Sequence, residues 1–70
     1  MSEDKIKIEV GSSGYEYTVT KGNLILHQTI LNGQRFNTCL INRGDYLETI
    51  PIDIDLCKEL FIALHNFKNQ

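Results

Sequence analysis

Cysteine is scarce in this chain. Cys39 and Cys57 are the only two among 70 residues, with no second pair and no short spacing between them, so a disulfide framework is not expected. A long apolar run is missing as well. The stretch MSEDKIKIEV at the start is charged and alternating, unlike the apolar core of a signal peptide or a membrane span of about 18 residues. A reducing, cytoplasmic setting and no membrane partner are the expectations that follow. Basic excess is the third absence. Seven Lys and Arg against nine Asp and Glu leave a net charge of -2, and the cations are scattered along the chain rather than clustered. Strong non-specific attraction to a phosphate backbone would need such a cluster, and only folding would gather Lys21, Arg35 and Arg43 from three separate turns.

Chemistry is thin for the same reason. His27, His65, Cys39 and Cys57 are metal-binding residue types, but structural zinc sites draw their ligands as close pairs from one knuckle or one helical turn, and these four are not so spaced. A nucleophilic Cys and His pair would need a third residue to orient it, and none is identifiable. Asp45, Glu48, Asp53 and Asp55 lie near one another, yet a turn, an outward strand face and helix capping account for them. The five glycines each punctuate a turn, so no phosphate-cradling loop is present. Arg43-Gly44-Asp45 spells an integrin-recognition tripeptide and reads as a turn. No catalytic residues, metal or cofactor are expected, and no enzyme.

What is present is a folding pattern. Hydrophobic residues make up 41% of the chain and charged residues 23%, a balance that opposes disorder. One domain over residues 1–70 is expected, with 1–4 and 68–70 frayed. A chain this short buries only about 60% of the surface it exposes when unfolded, and small domains are reinforced by disulfides, metals or a second subunit. With the first two lacking, oligomerisation is the route left.

Lys5 to Val10 alternates with period two, Ile6, Ile8 and Val10 on one side, as a half-buried strand does. Gly11 to Gly14 makes a hairpin loop, and Tyr15 to Thr20 alternates again. After the turn at Lys21-Gly22-Asn23, Leu24 to Leu31 carries apolar residues on both faces, which suits a central strand. Asn32-Gly33 fits a type I′ turn. Phe36 to Ile41 should pair back, and Tyr46 to Ile52 makes a fifth strand that Pro51 confines to an edge or to its end. Asp53 or Asp55 then starts a helix of about 13 residues, capped by its carboxylate. The fold class is therefore α+β: an antiparallel meander of four to five strands followed by one C-terminal helix packed on the sheet.

On a wheel at about 100° per residue, Leu56, Cys57, Leu60, Phe61, Ala63, Leu64 and Phe67 occupy one half of the helix. That arc is wider than one sheet face requires, and Ile62 projects from the polar half. Leu56, Phe61, Ile62 and Phe67 are accordingly the candidates for a partner or dimer contact. Open strand edges offer a second kind of contact. Tyr15 and Tyr17 share one strand face, an arrangement used to stack single-stranded bases.

Antiparallel strands followed by a helix, with Ile50-Pro51-Ile52-Asp53-Ile54-Asp55 feeding it, resemble the strand-to-helix ending of the PC4-like and PUR-alpha-like single-strand nucleic-acid binders. The resemblance implies a sheet facing nucleic acid and dimerisation through the helix. The leading expectation is a small non-enzymatic regulatory protein that acts by occupying a partner protein's surface, as an adaptor or inhibitor, and forms a homodimer. The alternative is single-stranded DNA or RNA binding by Lys5, Lys7, Tyr15, Tyr17, Arg35 and Arg43.

Overall fold

A computed structural model of the chain describes residues 5–70. Five strands, β1 (Ile6–Val10), β2 (Glu16–Lys21), β3 (Leu24–Leu31), β4 (Gln34–Asn42) and β5 (Leu47–Ile50), precede a single helix, α1 (Ile54–Lys68). The strands form one sheet in the order β1-β2-β3-β4-β5, every neighbour antiparallel. This is the expected α+β meander with one C-terminal helix against the sheet. The expected fraying of residues 1–4 falls outside the described residues.

Register follows from the turns. Asn32 and Gly33 both have positive φ, 52° and 79°, as a two-residue type I′ hairpin demands, and this sets Leu31 opposite Gln34. One cross-sheet row then aligns Ile8, Val19, Leu26, Cys39 and Ile50. Since side chains alternate across a strand, that row and its neighbours two residues away all face the helix. The opposite face carries Lys7, Thr18, His27, Leu31, Phe36 and Leu47 among others, and no element among the described residues covers it.

α1 lies across β1, β2 and β3. Leu60 and Leu64 meet Val19 and Leu26 to form the core, with Ile8, Tyr17, Leu24 and Phe61 packed around them. The helix starts where Asp53, in extended backbone, accepts bonds from the N–H groups of Asp55 (3.0 Å) and Leu56 (3.3 Å), satisfying donors that have no intrahelical partner. Asn69 closes the other end through its N–H to the carbonyl oxygens of His65 and Asn66.

Several details differ from the sequence reading: β2 is shifted by one residue to Glu16–Lys21, and β4 runs Gln34–Asn42 rather than Phe36 to Ile41. β5 spans only Leu47–Ile50 because Pro51 offers no N–H to the ladder. The helix runs for 15 residues, through Lys68, whose side chain is held against the sheet rather than frayed. The buried stripe of the helix is also narrower than half a wheel: Cys57, Leu60 and Leu64 are buried, whereas Leu56, in the first turn, remains 49% exposed. A flat sheet covers a stripe of roughly 100°, and residues at the margins of a wider arc are left in solvent.

Candidate functional site

Unequal strand lengths create the most distinctive surface. β4 has nine residues and β5 four, and β5 pairs only with Cys39 to Asn42. Among the described residues, the outer edge of β4 from Gln34 to Thr38 therefore has no strand beside it. Backbone groups of an antiparallel strand point alternately to its two neighbours. The Asn42 N–H donates to the Asn23 carbonyl at 2.8 Å, so the even-numbered residues of β4 face β3. Arg35 and Asn37 thus direct their N–H and C=O groups outward, to the open edge.

The helix leaves this edge accessible because it sits over β1 to β3. Between its flank and β4 lies an apolar groove of about 590 Å³, lined by Asn37, Ile52, Ile54, Lys58, Phe61 and Ile62. Ile52, Ile54 and Ile62 are all exposed, Ile62 at 50%. Phe61 also walls a second, more polar cavity of about 430 Å³ toward the helix C-terminus, which Gln28, Arg35, His65, Lys68 and Asn69 share. The two hollows share Phe61 as a wall, and together they are termed the trough.

A polar network floors the trough. Gln28, only 5% exposed, donates through Nε2 to Asn37 Oδ1 at 2.8 Å and accepts from Lys68 Nζ at its Oε1. Lys68 Nζ also lies 4.6 Å from the centre of the Tyr17 ring, and that ring meets Phe67 edge-on at 6.5 Å. Burial, and then the nearby Arg35 guanidinium, hold the Lys68 pKa below its ordinary value. No acidic side chain among the described residues pairs with Arg35, Lys58 or Lys68; the ion pairs present are Lys7 with Glu9, Lys21 with Glu59 and Arg43 with Glu48.

Of the helix candidates, Phe61 and Ile62 line the trough, Phe67 is half-buried against Tyr17, and Leu56 is exposed outside the trough lining. The nucleic-acid candidates do not share one surface. Tyr17 and Arg35 lie on the packed face and Lys7 on the open one, by register. Lys5 precedes β1, Tyr15 precedes β2 and is exposed, and Arg43 sits in the β4–β5 turn bound to Glu48 at 2.8 Å.

Cys39 and Cys57 are brought together across the sheet–helix interface. Their Sγ atoms are 3.1 Å apart, and both thiols are buried and free. Burial, reinforced by Cys57, pushes the Cys39 pKa up to about 12, which disfavours the thiolate form of Cys39 that a nucleophile needs. His27 lies on the open face and His65 on the helix, away from each other. Among the described residues no three His, Cys, Asp or Glu side chains converge as metal ligands, and no helix is long and apolar enough to cross a membrane.

Sequence reasoning missed the trough. In the sequence Ile52 and Ile54 stand out only as part of the segment that feeds the helix, and Lys68 only as a cation near the helix end, although the short interval between Asp45 and Pro51 signals that β5 cannot cover the length of β4. No family model matches the chain, and no curated protein or solved structure matches it.

Proposed function

We propose that the protein is a small, non-enzymatic binding protein that seats an extended segment of a partner protein along the outer edge of β4. The observation that carries this reading is the coincidence of an unpaired strand edge at Arg35 and Asn37 with exposed Ile52, Ile54 and Ile62 directly beside it. In strand addition, main-chain hydrogen bonds supply affinity and pockets for alternate side chains supply specificity. Regulation would be by occupancy, the partner's segment being withheld from other contacts. Homodimerisation is a separate part of the reading. It is supported by the exposed Leu31, Phe36 and Leu47 on the uncovered sheet face, which leaves the β4 edge available to the partner.

Selection from a random peptide library displayed on phage tests the main reading. Enriched peptides should alternate apolar and polar residues, and I54D and I62D should weaken them by about tenfold or more, as loss of an apolar anchor does. Absence of enrichment over an unrelated bait, or enrichment indifferent to both substitutions, refutes it. Sedimentation equilibrium tests the dimer: the expected species has twice the 8.0 kDa chain mass, and a monomer at all concentrations refutes it. Salt-sensitive binding of a labelled single strand by the wild type, lost in R35Q, would favour the nucleic-acid alternative instead.

A further inference from the structure

The polar end of the trough has a charge pattern that the apolar end does not explain. Arg35 on β4 and Lys68 in the last turn of α1 border the same cavity and have no acidic partner among the described residues. They stand close enough for Arg35 to disfavour the charged form of Lys68. Two cations held near each other with no acidic partner among the described residues, in a chain of net charge -2, make a local site for an anion. Lys68 is not free to swing away, since it is bound to Gln28 and sits over the Tyr17 ring. Gln28 is itself fixed by Asn37. Asn69 and His65, joined by the Asn69 Nδ2 bond to the His65 carbonyl at 3.0 Å, add polar groups at the rim.

We infer that Arg35 and Lys68 form a carboxylate-binding site, which reads an acidic side chain of the segment docked on the β4 edge. This rests on the strand-addition reading above. The spacing of the two hollows makes it specific. Arg35 and Asn37 are two residues apart on one strand face, about 6.8 Å, and each borders one hollow. A strand laid alongside repeats that period, so one of its side chains enters the apolar groove and the next on the same face reaches the cations. The recognised pattern is apolar-x-acidic if the segment runs antiparallel to β4, and acidic-x-apolar if it runs parallel. A single negative charge suits the site better than a dianion, because the cavity also borders the C-terminal end of α1, where the helix dipole contributes about half a negative charge.

Fluorescence anisotropy with two labelled probes tests the site: Lys-Thr-Val-Thr-Val-Thr-Glu-Thr and its reverse, each alongside a Glu→Gln version, at constant ionic strength. One of the two Glu peptides should bind about tenfold tighter than its Gln version, the effect expected of a charge-assisted contact. R35Q and K68Q should each remove that difference, whereas K7Q, which lowers net charge equally on a distant strand, should keep it. Circular dichroism guards against misfolding of K68Q; Arg35 is exposed, so R35Q carries the test if Lys68 proves necessary for the fold. Equal binding of Glu and Gln peptides overturns the carboxylate site and leaves strand addition standing. A phosphoserine version that binds tighter than Glu overturns the preference for one charge. If no peptide binds, both readings fall, unless amide resonances of Arg35 and Lys68 saturate with sodium acetate, which would keep the site as one for free carboxylates alone.

Discussion

Leu60→Ala is the sharpest test of how the helix is seated. Leu60 is 1% exposed and packs with Leu64 on Val19 and Leu26 at the centre of the core. The substitution removes three carbons at about 0.8 kcal/mol each, and incomplete collapse of the space left behind raises the loss to about 3 kcal/mol. A chain of this length is expected to have roughly 3.5 to 10 kcal/mol in total, so one side chain accounts for a large share. In urea, with a slope of about 1 kcal/mol per molar for a small protein, the midpoint should fall by about 3 M. Far-ultraviolet circular dichroism follows the transition. Ile62→Ala is the internal control: two residues along the same helix and half in solvent, it should change stability by less than about 0.5 kcal/mol, with the better helix propensity of Ala offsetting any lost contact. If Ile62→Ala proves as damaging as Leu60→Ala, or if Leu60→Ala is harmless, the helix does not present the face described and the trough is wrongly placed.

The helix cap should matter on its own: Asp53→Ala removes the acceptor of two first-turn N–H groups and should lower stability by about 1 kcal/mol, measured by the same urea transition. Gly33→Ala places a side chain at φ 79° and should lower stability by about 1 to 2 kcal/mol through strain alone, since a Cβ there meets nothing within 4 Å; an unchanged midpoint would contradict the type I′ turn. The Cys39 thiol is raised from 9.0 to about 12 in the folded state, so the native protein holds that proton after the unfolded chain has released it. This contribution is therefore full below pH 9 and is lost as pH rises toward 12; urea midpoints should fall over that range more steeply than in C39A, and equal slopes would refute the assignment. Native thiols should also react with Ellman's reagent only as fast as the protein opens, and immediate reaction of both would show that they are not buried.

The order of elements was legible because local rules agreed with the global fold. Ile6, Ile8 and Val10 alternate, Asn32-Gly33 suits only a tight hairpin, and Asp53 caps the helix, so each short stretch names its own element. A meander adds nothing to this, since every strand pairs with its neighbour in sequence. What depends on the position of the helix across the sheet was not legible. Tyr15 and Tyr17 alternate alike in the sequence, yet Tyr17 lies under Phe67 and Lys68 while Tyr15 stands in solvent. Cys39 and Cys57 read as unrelated residues and meet at 3.1 Å, because contact between a strand and a helix 18 residues apart is set by packing and not by spacing. The trough arises the same way. Pro51 shortens β5, the helix settles over β1 to β3, and the uncovered half of β4 is what remains. The wide apolar arc of the helix narrows to a buried stripe at Cys57, Leu60 and Leu64, while Ile62, which projects outside that arc, joins Ile54 on a separate flank. That flank faces an unpaired strand edge, so its apolar surface is located where backbone hydrogen-bonding capacity is also unspent. An exposed isoleucine by itself signifies little; an exposed pair beside open N–H and C=O groups supplies both terms that strand addition needs.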